Sequence, residues 1–289
     1  MAGVLNVREL VDAELAGQTR FSEFIKNVTQ TTTAGLWYDL TGSAGNPKAK
    51  QWFDAAPLTS AAVAQSTDGG IYHGAAIGST QKKYLRFFRA ACASATPLPM
   101  PLILCDYLLY YPTIEDGTTD LQEMTNTVTL PRYTDGVGVQ MMAVTISART
   151  GGQQFSVTYT NSDGVAGRVT PLVTQNSAAA PGTITTASTA TAAGTPGPFI
   201  PLQDDDKGVR SVQSVTMAGT DTGFFALVLV KPLAQTVVRG IDAPYEKDLL
   251  IFASELERIY DDAYLSLLAM PNGSLSGIAV RGGIRSVWN

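Results

Sequence analysis

The spacing of apolar positions changes along the chain. Near the start, Val7, Leu10, Val11 and Leu15, then Phe21, Phe24 and Ile25, recur at helical intervals on either side of Gly17. This spacing predicts two short helices. Their charged faces are mixed (Arg8, Glu9, Asp12, Glu14, Glu23, Lys26), which suits covering one end of a sheet or docking on a neighbour. Residues 28–80 show no sustained period and are rich in Thr, Gly and Ala. They read as long irregular loops pinned by the rings of Trp37, Tyr38, Trp52 and Phe53.

From Tyr84 onward the pattern becomes mainly β, although Tyr84 to Ala93 fits helix or strand equally well. Leu102 to Tyr111 is a nearly continuous apolar run between Pro101 and Pro112, the mark of a strand buried on both faces. Val137 to Ser147 and Phe155 to Thr160 alternate with period two. Asn161 to Gly164 has the composition of a turn, and Val165 to Val173 returns from it. Val209 to Met217 and Gly223 to Lys231 complete this group of strands.

Tyr245 to Tyr260 is the one helix expected within the β region, with Asp242 and Pro244 placed as cap and first turn and Leu249, Phe252, Leu256, Ile259 and Tyr260 at helical spacing. Beyond it, Tyr264 to Met270 and Leu275 to Val280 flank Pro271-Asn272-Gly273, a strong hairpin signal. No repeat of fixed period argues for a solenoid or propeller. The expected fold is mainly β, a β-sandwich of jelly-roll-like form with short N-terminal helices and long loops. Residues 1–80 would form the helices and extended loops, and residues 81–289 the sandwich. The tract 174–198 is almost wholly Ala, Thr, Gly, Ser and Pro. Alone it would be mobile, so order in it would require a hold from its own domain or a neighbouring subunit.

Composition narrows the function. Charged residues are 16% of the 289, well under the usual quarter, and small and hydroxylated residues take their place. Such surfaces can be buried against a partner at low desolvation cost. A net charge of −5 supplies no basic field for a phosphate backbone, so direct nucleic-acid binding is not expected. The densest basic group, Lys82, Lys83, Arg86 and Arg89, reads as the solvated or partner-facing side of one element. The apolar stretches Leu98 to Leu109 and Phe224 to Val230 are interrupted or short, so no membrane span is expected. The N-terminus lacks a secretion-signal pattern, which points to cytosolic synthesis. Cys92 and Cys105 lie in apolar runs and are expected as buried thiols, with a disulfide as the alternative.

Candidate chemistry is sparse. The single histidine, His73, lies in Gly69-Gly70-Ile71-Tyr72-His73-Gly74 and reads as structural rather than as a general base. Gly273-Ser-Leu-Ser-Gly277 has the outline of a nucleophile elbow, but Leu275 stands where serine is needed. Gly219-Thr-Asp-Thr-Gly223 lacks the lysine of a phosphate loop. Asp204-Asp205-Asp206 could offer oxygens to Ca²⁺ but lacks the alternating ligand spacing of a calcium loop. Glu255 and Glu257 would point to different sides of a helix, which leaves a distant pair such as Asp106 and Glu115 for glycosidase chemistry. The sequons at Asn27 and Asn272 read as chance. No catalytic, cofactor-binding or metal-binding residue is assigned, and the chain is expected not to be an enzyme.

Four segments carry a resemblance: Gly35-Leu-Trp-Tyr-Asp-Leu-Thr-Gly-Ser-Ala-Gly-Asn-Pro47, Leu102-Ile-Leu-Cys-Asp-Tyr-Leu-Leu-Tyr-Tyr-Pro112, Leu130-Pro-Arg-Tyr-Thr-Asp-Gly136 and Met270-Pro-Asn-Gly-Ser274. Through them the chain resembles virion structural proteins of tailed bacteriophages, in particular capsid-associated or decoration proteins. The resemblance implies a jelly-roll-like sandwich present in many copies per particle, oligomeric, located in the virion and in contact with a major capsid protein or other virion proteins. It carries over no catalytic residue. A second reading is a tail- or fibre-associated module that binds a host-surface glycan through Trp37, Trp52 and nearby tyrosines in an exposed groove. A third is a glycan-degrading enzyme with paired carboxyl groups in a cleft.

Overall fold

The computed structural model describes residues 6–78, 80–178, 180–185, 197–252 and 256–289. Helix α1 (Val7–Leu15) forms where the first periodic stretch predicts it. Its N-terminus is capped by Asn6, whose side-chain oxygen accepts from the Glu9 N–H at 3.0 Å. It ends before Gly17, which takes a left-handed φ of 72°. The second expected helix is instead strand β1 (Thr19–Val28), which buries Ser22, Phe24, Lys26 and Val28 and exposes Phe21, Glu23 and Ile25. Three apolar residues at spacings of three and one fit either period. Pairing with a strand from the far end of the chain decides between them.

Nine further long strands follow: β2 (Lys83–Cys92), β3 (Met100–Glu115), β4 (Gln140–Thr145), β5 (Gln154–Asn161), β6 (Val209–Met217), β7 (Phe224–Val238), β8 (Tyr245–Asp248), β9 (Tyr264–Ala269) and β10 (Ile278–Trp288). They form three antiparallel sheets. The first runs β8, β2, β10, β1, with Ala44–Asn46 on its outer edge. The second runs from Tyr38–Asp39 through β9, β3 and β7 to β4. The third places β5 beside β6, with Gln122–Glu123 beyond β6 and the short strands Arg168–Val169 and Val173–Thr174 beyond β5. β1 and β10 pair in unbroken register from Thr19 opposite Val287 to Val28 opposite Ile278. The two ends of the chain therefore share one sheet.

The faces of β3 explain the layering. Leu102 and Leu104 pack with Leu85, Phe88 and Ile284 of the first sheet. Farther along, Leu108, Tyr111 and Ile114 pack with Phe155, Val157 and Val212 of the third. The opposite face, carrying Ile103, Cys105, Tyr107 and Tyr110, lies under the loops that bring Trp37, Trp52 and Val63. The molecule is thus a β-sandwich: the second sheet forms one layer, and the first and third lie side by side as the other. Asp106 and Arg132 occupy the seam between those two cores. Arg132 donates to both carboxylate oxygens at 2.9 and 2.8 Å and to the carbonyls of Tyr107 and Val63.

Two further expectations are corrected. Tyr245 to Tyr260 is not one helix: β8 pairs with β2, a single helical turn spans Leu249–Phe252, and Arg258–Ile259 returns to β2. The open edge of β2 supplies backbone partners that outweigh helical periodicity, and 253–255 lie outside the described residues. Asp242 does not cap a helix. It sits at φ 51° and pairs with Arg281. Pro271-Asn272-Gly273 does not close a hairpin either, because β9 and β10 belong to different sheets. The Asn272 N–H donates to the Pro97 carbonyl at 2.9 Å, so the turn is used in crossing between layers. In the tract 174–198, Gln175 and Ala178 bond to Gln153 and Arg149, and Thr183 and Ile184 bridge to Tyr38 and Val144. These residues are held by their own domain, while 179 and 186–196 lie outside the described residues.

Candidate functional site

His73, Lys83, Lys26 and Asp106 are buried and engaged in packing. His73 is fully buried. Its Nε2 meets the Ala263 carbonyl at 2.9 Å, and its Nδ1 faces Lys83 Nζ at 3.3 Å, which suits a neutral ring donating through Nε2. Burial and the adjacent lysine cation push its pKa down to about 4. Lys83 also donates to the Ala75 carbonyl and lies 3.5 Å from Asp261. It therefore points inward, away from the basic surface group in which the sequence places it. Lys26 is equally enclosed: its ammonium donates to the carbonyls of Thr41, Ser43 and Pro47 at 3.3, 2.9 and 3.0 Å, and burial pulls its pKa down to about 8.

Asp106 and Glu115 do not form a carboxylate pair. They lie on one strand, roughly 30 Å apart at the rise of an extended chain, and Asp106 is consumed by Arg132. Burial lifts the Asp106 carboxyl to about 6 against the pull of that guanidinium. Of the acidic run, Asp206 is engaged by the Tyr159 hydroxyl, Asn161 and Arg168. Among the described residues no group of three or more His, Cys, Asp or Glu side chains is placed to hold a metal. Leu275 is buried, so the loop from Gly273 to Gly277 presents no nucleophile from its centre. Glu255 lies outside the described residues. Cys92 and Cys105 are both free and buried.

Trp37 and Trp52 are buried and not laid open in a groove, and only a small hollow is bordered by Tyr38, Trp52 and Phe53. Trp52 stacks on Tyr107 at 5.3 Å between ring centroids and meets Tyr110 and Tyr264 edge-on or tilted. Trp52 Nε1 and the Tyr107 hydroxyl donate to the buried carboxylate of Asp39. Trp37 and Tyr38 are buried as well, and Phe53 alone of the four early rings is exposed. These rings fasten the 37–63 loops to the second sheet.

What remains open is a surface. The outer face of the first sheet carries a trough between α1 and β8, lined by Glu14, Phe21, Arg86, Phe87, Asp248 and Arg285. It continues past Arg89 into a second hollow with Glu23, Ile25, Asp242 and Arg281. The charges are matched along it. Arg86 pairs with Asp248 and lies 4.0 Å from Glu14, Arg285 lies 4.0 Å from Glu14, Arg89 lies 3.4 Å from Glu23, and Arg281 pairs with Asp242. The Arg89 guanidinium lies 4.7 Å from the Phe21 ring centroid. Phe21 can lie against the sheet because its neighbour there is Gly283, where a Cβ would come 2.5 Å from the ring.

α1 borders this trough. Leu10 and Ala13 pack on Val287 and Tyr84. Glu14 comes next around the helix at 100° per residue, followed by Val7, Val11 and Leu15. Those three are 59, 47 and 82% exposed, an apolar stripe turned to the solvent side of the helix. Aromatic side chains and arginine are the residue types enriched where proteins meet. Separately, Val165, Val169 and Leu172 are exposed in and beside the short edge strand Arg168–Val169 of the third sheet. Arg86 and Arg89 had been singled out in the sequence. Phe21 and Ile25 stand out there only as positions of an expected helix, and Arg281 and Arg285 not at all, although the alternation of Arg281, Gly283 and Arg285 along β10 carries the signal.

No protein-family model matches the chain, and no curated protein does. Among solved structures, a chain from the structure of infectious bursal disease virus Gx strain aligns over 93% of this chain and 80% of its own, with 9% identity and a TM-score of 0.19. A superposition that loose transfers neither fold nor function.

Proposed function

We propose that the chain is a non-enzymatic structural subunit of a virus particle, a capsid-associated protein of a tailed bacteriophage that adds contact energy to the shell. The observation that carries the reading is the pair of exposed apolar surfaces, on the first and third sheets, set on a scaffold whose reactive side chains are engaged in internal packing. A repeated subunit needs separate surfaces for separate neighbours. Low charge and abundant small polar residues favour burying them. The partners are a major capsid protein, other virion proteins and further copies of the chain. The four segments quoted from the sequence support placement in a phage rather than another virus.

Quantitative mass spectrometry of purified particles tests the reading. It predicts the chain in each particle at a fixed ratio to the major shell protein. Detection only in the lysate, with none in particles, would reject it.

A further inference from the structure

We infer that Asp116, Arg149 and Gln175 enclose a binding site for an internal water, which bridges the Arg149 guanidinium to the Asp116 carboxylate. The three residues come from segments far apart in sequence: Asp116 follows β3, Arg149 follows β4, and Gln175 lies at the start of the Ala- and Thr-rich tract. All three are buried, yet their polar atoms are only partly used. Arg149 Nη2 donates to the hydroxyls of Thr145 and Thr185 at 2.7 and 3.0 Å, whereas Nε and Nη1 have no hydrogen-bond partner among the described residues. Asp116 Oδ1 accepts from the Gln175 amide at 2.6 Å, whereas Asp116 Oδ2 and Gln175 Oε1 have none. Unpaired buried donors and acceptors are rare, and ordered water is what satisfies them where they gather. Nη1 lies 3.9 Å from Oδ2, too far for a direct hydrogen bond. A water roughly 2.8 Å from each atom closes that gap, with an angle of about 90° between its two contacts.

The backbone holds the gap open. Arg149 bonds in both directions with Ala178 at 3.0 and 3.1 Å, the Gln175 N–H donates to the Gln153 carbonyl at 2.8 Å, and the Asp116 N–H donates to the Gly223 carbonyl at 3.1 Å. The Phe225 ring, 5.4 Å from the Arg149 guanidinium, covers one side. The occupant has to accept from one wall and donate to the other. A cation would meet the Nη1 hydrogens, and an anion would meet the Asp116 carboxylate, with Asp221 bonded to the Asp116 carbonyl close by. Water does both, and Gln175 Oε1 is the acceptor left for its second hydrogen. The site ties the start of the tract to the end of β3, whatever the chain assembles with.

A high-resolution crystal structure of the full chain, with a second crystal soaked in sodium bromide, tests the site without any substitution. The expected result is a peak within about 3.2 Å of both Arg149 Nη1 and Asp116 Oδ2 that refines as water and gives no bromide anomalous signal. Direct contact of Nη1 with Oδ2, a protein group filling the gap, or a bromide peak there would overturn the inference. Oxygen-17 relaxation dispersion, which counts long-lived internal waters, extends the test to solution. R149M should lower that count by at least one, and an unchanged count in a variant whose circular dichroism matches the parent would also overturn the inference. Should R149M not fold, the parent crystals still decide.

Discussion

Replacing Arg132 with methionine isolates the ion pair at the seam of the sandwich. The guanidinium makes four hydrogen bonds there: two to Asp106 at 2.9 and 2.8 Å, one to the Tyr107 carbonyl at 2.8 Å and one to the Val63 carbonyl at 3.1 Å. Asp106 is fully buried and retains only the Tyr264 N–H at 3.0 Å once the arginine is gone. Removing one partner of such a pair costs about 3–5 kcal/mol, because the other charge is left uncompensated in the interior. With a urea slope near 3 kcal/mol/M, this lowers the unfolding midpoint by roughly 1–1.7 M. The pH dependence adds a second signature. The Asp106 carboxyl sits at about 6, above its unfolded value, so the folded chain holds that proton more tightly. Its contribution to stability therefore falls as pH rises from about 4 to about 6 and then levels off. Without Arg132 the carboxyl moves higher, and the fall continues above pH 6. Adding D106N to R132M should recover more than about half of the loss, since replacing both partners leaves no buried charge. Urea titrations at pH 5.5 and 8 measure all of this. A midpoint for R132M within 0.2 M of the parent at pH 8 would show that the buried pair contributes no such stability.

Three further outcomes follow from buried groups. The lone histidine gives a single imidazole NMR signal, which should stay in the neutral form down to about pH 4. Because the unfolded ring takes its proton at higher pH, His73 removes about 3 kcal/mol of stability as pH falls from about 6.5 to 4, and a signal titrating near 6.5 would contradict its burial. K26M leaves the carbonyls of Thr41, Ser43 and Pro47 without their shared donor and should cost about 3 kcal/mol, with faster proteolysis between residues 41 and 47; an unchanged thermal midpoint would count against it. Cys92 and Cys105 should resist a thiol reagent in the native chain and react as two thiols in denaturant, whereas rapid native reaction would show the packing to be wrong.

The sequence discloses those parts of the fold in which one short segment carries the whole signal. β3 and β5 announce themselves through an unbroken apolar run and a strict alternation, and β6 has the bounds its residues suggest. β1 and β8 do not, because their conformation is set by strands distant in sequence: β10 pairs β1, and the open edge of β2 captures Tyr245 to Asp248. The Asn-Gly signal at 272 marks a real turn but cannot say that its flanking strands enter different layers. The trough was hidden for the same reason, since Phe21, Phe87 and Arg285 become neighbours only once the first sheet forms. Lys83 was grouped with Arg86 and Arg89 by proximity in sequence. A register shift between Leu85 and Phe87 opposite Ser286 and Arg285 accompanies the change of side, with Lys83 buried and Arg86 and Arg89 on the trough.

Electron cryomicroscopy of purified capsid shells, with and without the added chain, decides whether it is a shell subunit. A subunit gives regular added density at symmetry-related positions on the shell. A chain that remains free in solution at saturating concentration, leaving the shells unchanged, is not one.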